Sequence, residues 1–169
     1  MQGPEAETLS EAFIAQIEPW YHQSQMLRLW ELLRAHPPLW AWTGCRSRNW
    51  AGRLAASLGS ERLSQVLHRR NYQRHPHDIS AGVFYAHNLA RQQGSWQARR
   101  FLKAMPEPGD TVDAEACHYF WTLRAMLEAD FRDFETAADY MRRAEAYVVE
   151  LPWRQVCQAS ILERQDRFE

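Results

Sequence analysis

Two four-residue runs constrain this chain more than any other feature in it. Arg132-Asp133-Phe134-Glu135 is echoed by Asp166-Arg167-Phe168-Glu169, an aromatic-acid run displaced by about 34 residues. Repetition at that interval marks a fold of stacked helical hairpins, because one hairpin cannot bury its own apolar face. The residues around the first run agree. From Glu115 to Asp130, Trp121, Ala125 and Glu128 recur at helical spacing, and from Glu135 to Val149, Ala137, Tyr140, Met141, Ala144, Tyr147 and Val148 form one stripe. Ala125 and Ala137 permit close approach of two helix backbones, with Trp121, Tyr140 and Met141 filling the space around that contact.

The same alternation of helix, turn and returning helix runs back along the chain. Thr8 and Glu11 have capping-box spacing, and Leu9, Phe13 and Ile17 predict a short opening helix that stops at Pro19. Met26, Leu27, Trp30 and Leu33 predict the apolar face of a second helix, ended by His36-Pro37-Pro38. Trp50, Ala51, Leu54, Ala55 and Leu58 predict a helix over 45–58. Gly59-Ser60 is the turn, and Leu63, Val66 and Leu67 mark the return helix, which fades at His75-Pro76-His77-Asp78. Val83, Ala86 and Ala90 mark the next first helix over 79–93, and Trp96, Ala98, Phe101, Leu102 and Met105 its return. In the last segment, Val156, Ala159 and Leu162 are expected to face inward; left uncovered, such side chains each forgo ~1.5–3 kcal/mol of burial.

An aromatic in the turn, a small residue three positions on and a large one four later resemble the tetratricopeptide repeat, in degenerate form and over most of the chain. Gly52 sits where that family usually has a small residue for close packing. Ala98 follows Gly94 one residue earlier than the family spacing, which implies a tightened turn. The resemblance implies an all-α, right-handed solenoid of about four stacked hairpins plus a terminal helix. It implies a single domain over 1–169, with approximate repeats 8–38, 39–76, 77–110, 111–151 and an incomplete 152–169. The first hairpin is divergent, as expected of an end unit that presents one face to water.

Cys45, Cys117 and Cys157 are odd in number and far apart, so neither a disulfide framework nor a structural zinc site is indicated. The acidic stretch Met1–Ser10 lacks the basic and apolar regions of a signal peptide, and no apolar run approaches a membrane span. A cytoplasmic, soluble protein is the expectation. Net charge is −1, yet residues 46–103 carry eleven basic against two acidic side chains, between acidic ends. Net charges of −3, +9 and −7 along the chain favour an acidic partner and self-association, the latter through the terminal helix 153–169.

No nucleophile elbow, phosphate-cradling loop or HExxH is present, and Cys117-His118 diverge by about 100° on a helix, so catalysis, a metal and a cofactor are not expected. Stacked hairpins curve, and the first helix of each lines an extended groove suited to a peptide. The resemblance implies wall positions thirteen, ten and six residues before each turn. These are Arg46, Asn49 and Arg53 before Gly59; Ala81, Phe84 and Asn88 before Gly94, with Arg91 one turn on; and Tyr119, Thr122 and Met126 before Arg132. Arg46, Arg53 and Arg91 offer forked donors to carboxylates, Asn49 and Asn88 hydrogen bonds to a peptide backbone, and Phe84 and Tyr119 aromatic anchors, with Thr122 beside them. The expected function is a non-catalytic protein-interaction scaffold that holds an acidic or C-terminal peptide in a basic, aromatic groove. The alternatives are the regulatory or substrate-docking N-terminal part of a larger enzyme, and a single-stranded nucleic-acid binder using His68-Arg69-Arg70-Asn71-Tyr72-Gln73-Arg74-His75.

Overall fold

The computed structural model of the chain describes residues 6–109, 111–147 and 152–166. Val148, Val149 and the end of the echoed run, Arg167 to Glu169, lie outside the described residues. Every regular element among those described is helical: α1 (Glu11–His22), α2 (Met26–Leu33), a 3-10 turn (Leu39–Ala41), α3 (Cys45–Ser57), α4 (Glu61–Arg74), α5 (Ile79–Gln93), α6 (Ser95–Ala104), α7 (Ala114–Asp130), α8 (Phe134–Glu145) and α9 (Pro152–Arg164). None of these helices is long and apolar enough to cross a membrane.

The turns between helices carry the repeat. Gly44, ahead of α3, has φ 83°, and the five residues that follow a first helix, Ser24, Gly59, Gly94, Arg132 and Asp166, all have φ between 57° and 88°. Successive ones lie about 35 residues apart, a helical-repeat interval, and each closes a first helix. After α1, α3 and α7 the closure is the same. The amide that follows the left-handed residue reaches back five positions: Gln25 N to Trp20 O (2.8 Å), Ser60 N to Ala55 O (2.7 Å) and Asp133 N to Glu128 O (3.1 Å). This is a Schellman turn. At Gly94 a single bond to Ala90 O (3.1 Å) suffices, and α6 starts at the next residue. The early Ala98 is thus accounted for by a one-residue turn, and Ala98 is fully buried.

The chain divides into two compact units, residues 1–81 and 82–169. In the first, Ile14, Ile17, Leu29, Leu33, Trp42, Trp50, Ala51, Leu54, Ala55 and Leu67 form the core. Residues 47 to 55 of α3 are buried on all sides, so this helix is central to its unit. Its first turn is capped from a distance: the Glu7 carboxylate accepts from Arg46 N (3.2 Å), Ser47 N (2.9 Å) and Ser47 Oγ (2.7 Å).

Several expectations about α1 and α2 need correction. Pro19 lies inside α1, which continues to His22; only three residues follow, so the lost hydrogen bond is tolerated. Ser10, not Thr8, is the N-cap, accepting from Phe13 N, while Thr8 pairs with Thr43. The buried face of α2 runs through Leu29 and Leu33, leaving Leu27 71% and Trp30 52% exposed.

On α4 the inward positions are Ser64, Leu67, His68 and Asn71, whereas Val66 is exposed. Polar groups occupy a core face where counterparts meet them; Asn71 Nδ2 donates to Cys45 O (3.0 Å) and Asn49 Oδ1 (2.7 Å).

The second unit is organised around α7, buried on nearly every side and lying against α6, α8 and α9. Ala125, Ala129, Ala137 and Ile161 form a close-packed cluster with Phe134, Tyr140 and Met141 around it, as the alanine spacing requires. Asp113 and Asp133 cap α7 and α8 by accepting from Ala116 N and Thr136 N, both at 3.1 Å. Glu128, 2% exposed, accepts from Arg99 (Nε 2.8 Å, Nη2 2.7 Å) with Lys103 at 3.6 Å, tying α6 to α7. The last helix is rotated from expectation: Cys157 and Ile161 point inward, and Val156 and Ala159 are exposed.

Candidate functional site

The eight expected groove residues fall into two sets, one in each unit. In the first, Arg46 is exposed and paired with Glu11. Asn49 is buried, donating to Ser80 Oγ (3.0 Å) and accepting from Asn71 (2.7 Å). Arg53 is buried with its guanidinium over the rings of Trp50 (4.2 Å) and Tyr21 (4.7 Å). Two of these three side chains therefore serve the interior of their own unit, because α3 is covered all round.

In the second unit the arrangement is different. Phe84 of α5 and Tyr119 of α7 have ring centroids 5.6 Å apart, and Tyr119 in turn meets Trp153 of α9 at 6.2 Å. His87, one turn along α5, meets Trp153 at 5.9 Å. Three successive first helices thus contribute a continuous aromatic row, every ring in it only partly buried. Asn88 lies on the same face as Phe84, four residues on, and is 5% exposed. Its Nδ2 is buried with no acceptor among the described residues, as is Nε1 of Trp153. Thr122 is fully buried and donates to His118 O (2.9 Å), leaving its hydroxyl occupied. Arg91 is exposed in the last turn of α5.

Trp153 is absent from the expected set, although the sequence carries its signal. The steps from Phe84 to Tyr119 and from Tyr119 to Trp153 are each about 34 residues, one repeat length. Counting thirteen back from Asp166, as from Arg132 to Tyr119, gives Trp153 directly.

Nucleophile chemistry is suppressed where thiols occur. Burial, with Asp78 nearby, pushes the Cys45 thiol up to about 12, and burial pushes Cys157 to about 12 as well. Cys117 is also raised by burial, and His118 lowered. The two adjacent residues address different partners, Cys117 the carbonyl of Val112 (3.7 Å) and His118 that of Ala144 (3.3 Å).

The cationic run on α4 is split: His68 and Asn71 turn inward while Arg69, Arg70 and Arg74 stay at the surface.

Compared with known proteins, the chain matches no family model, no curated protein and no solved structure.

Proposed function

We propose that the protein is a non-catalytic interaction scaffold of the tetratricopeptide kind, its hairpins stacking as a right-handed solenoid, and that the first-helix face of the second unit holds an acidic or C-terminal peptide. Supporting the repeat is the left-handed residue that closes each first helix at an interval of about 35 residues. The binding reading is carried by one observation: a row of Phe84, Tyr119 and Trp153 beside a buried Asn88 amide nitrogen that lacks an acceptor among the described residues. Partly buried aromatics provide contact area at little entropic cost, and a buried donor without an acceptor favours a hydrogen-bonding ligand. A half-turn of the Asn88 side chain exchanges its oxygen and nitrogen, so the same group serves a peptide carbonyl or a peptide N–H. Arg91, exposed at the end of α5, supplies the charge that prefers an acidic or terminal carboxylate.

A C-terminal peptide array probed with the wild-type chain and with Asn88→Ala/Tyr119→Ala tests this. Acidic peptides retained by the wild type and lost by the double variant are expected. Identical binding by both proteins would reject the groove.

A further inference from the structure

We propose that Arg124 and Arg143 form a second carboxylate-binding site, and that Glu107 is its resident occupant in the free chain. The site lies on α7, α8 and the segment that joins α6 to α7, apart from the aromatic row described above.

Arg124 is 9% exposed, and its guanidinium lies over Phe120 (5.0 Å), Trp121 (5.6 Å) and Tyr140 (5.2 Å). Arg143 reaches two of the same rings from α8, at 4.7 Å from Trp121 and 5.8 Å from Tyr140. Two guanidiniums gathered on one aromatic pair repel each other unless an anion stands between them. Glu107 provides it, with Oε1 3.2 Å from Arg124 Nη1 and Oε2 3.2 Å from Arg143 Nη1. One carboxylate thus bridges two forks, both oriented by stacking and one also by the bond from Arg124 Nη2 to Leu102 O (3.4 Å).

The occupant is held differently from a structural acid. Glu128 is sunk between Arg99 and Lys103 and leaves no room for exchange. Glu107 has a side chain 56% exposed, in the non-helical sequence Pro106-Glu107-Pro108-Gly109, with open space around Gly109. The Arg143–Glu107 half of the bridge is exposed and weak, so a carboxylate presented by another chain displaces Glu107 once its local concentration exceeds that of the tethered acid, on the order of millimolar. Arg124 also has contacts that do not involve Glu107, its stacking on Phe120, Trp121 and Tyr140 and its bond to Leu102 O, and these hold one fork in place for an incoming Glu or Asp side chain that takes over the bridging charge.

The test uses the full chain and a blocked tetraglutamate peptide, with tetraglutamine as control, titrated at low salt and followed through arginine Nε–H and indole NMR signals. Glu107→Gln should bind tetraglutamate at least tenfold more tightly than the wild type, and Arg143→Gln added to it should remove the gain. Arg143 is half exposed, so its replacement leaves folding intact. Equal affinities in wild type and Glu107→Gln would overturn the proposal. So would a gain that survives Arg143→Gln, or one abolished instead by Asn88→Ala/Tyr119→Ala, which would assign the binding to the aromatic row. Loss of cooperative melting in Glu107→Gln would make Glu107 a structural tie and would equally overturn it.

Discussion

Gly52 and His68 occupy one space: a methyl group built on Gly52 would collide with the imidazole of His68, which α4 lays against α3. His68 is itself buried, so the ring has nowhere to swing.

Gly52→Ala should therefore destabilise the fold by about 2 kcal/mol through overpacking. Urea denaturation measures it. Combining it with His68→Ala should recover part of the loss; simple additivity of the two changes would show that they do not share the space.

The turns separate backbone cost from packing cost. Gly59 has φ +82° with nothing within reach of an added Cβ, so Gly59→Ala should cost about 1 kcal/mol through the left-handed backbone alone. Ser24 holds the same role at φ 57°, and Ser24→Gly should gain up to about 1 kcal/mol. Opposite signs in thermal melting are the expected outcome.

Glu128 links three features: it receives Arg99, lies near Lys103, and its carbonyl accepts the closing bond of the turn after α7. Removing the carboxylate strands a partly buried guanidinium, so Glu128→Ala should cost about 3 kcal/mol, and Glu128→Gln less because the amide oxygen still accepts. A loss below that of a surface alanine substitution would contradict the assignment.

His118 should make stability sensitive to acid. Burial first, then Arg154 on α9, lowers its pKa below the ordinary 6.5, while the Ala144 carbonyl on α8 and Glu115 on α7 oppose the shift. The folded state then resists a proton that the unfolded state accepts. This component leaves stability unchanged above about pH 6.5 and erodes it as pH falls below that value. Urea midpoints at pH 7 and pH 5 should converge in His118→Gln relative to the wild type. An unchanged pH dependence would remove His118 from the account.

Much of the helical pattern was legible because it is local. Gly59 and Gly94 announce their turns through glycine's freedom at positive φ, whereas Ser24 and Arg132 adopt it without that signal, and Asp133 announces the helix it caps. The one-residue shortening at Gly94 was legible too, from the early Ala98. The candidate site was only partly so. Phe84 and Tyr119 do meet, but Asn49 and Arg53 carry the same apparent promise and are instead consumed by Asn71, Ser80, Trp50 and Tyr21.

The sequence by itself determined helix content, the sites of reversal and the closeness allowed at Ala125 and Ala137, since spacing, backbone freedom and side-chain size act over a few residues. Only the tertiary structure decided which faces are covered. Hydropathy favours Leu27, Trp30 and Val156 for the interior, yet Leu29, Cys157 and the polar trio Ser64, His68 and Asn71 are there. Burial of a polar group is costly only until a partner from another helix meets it, and that meeting is not written in any single segment.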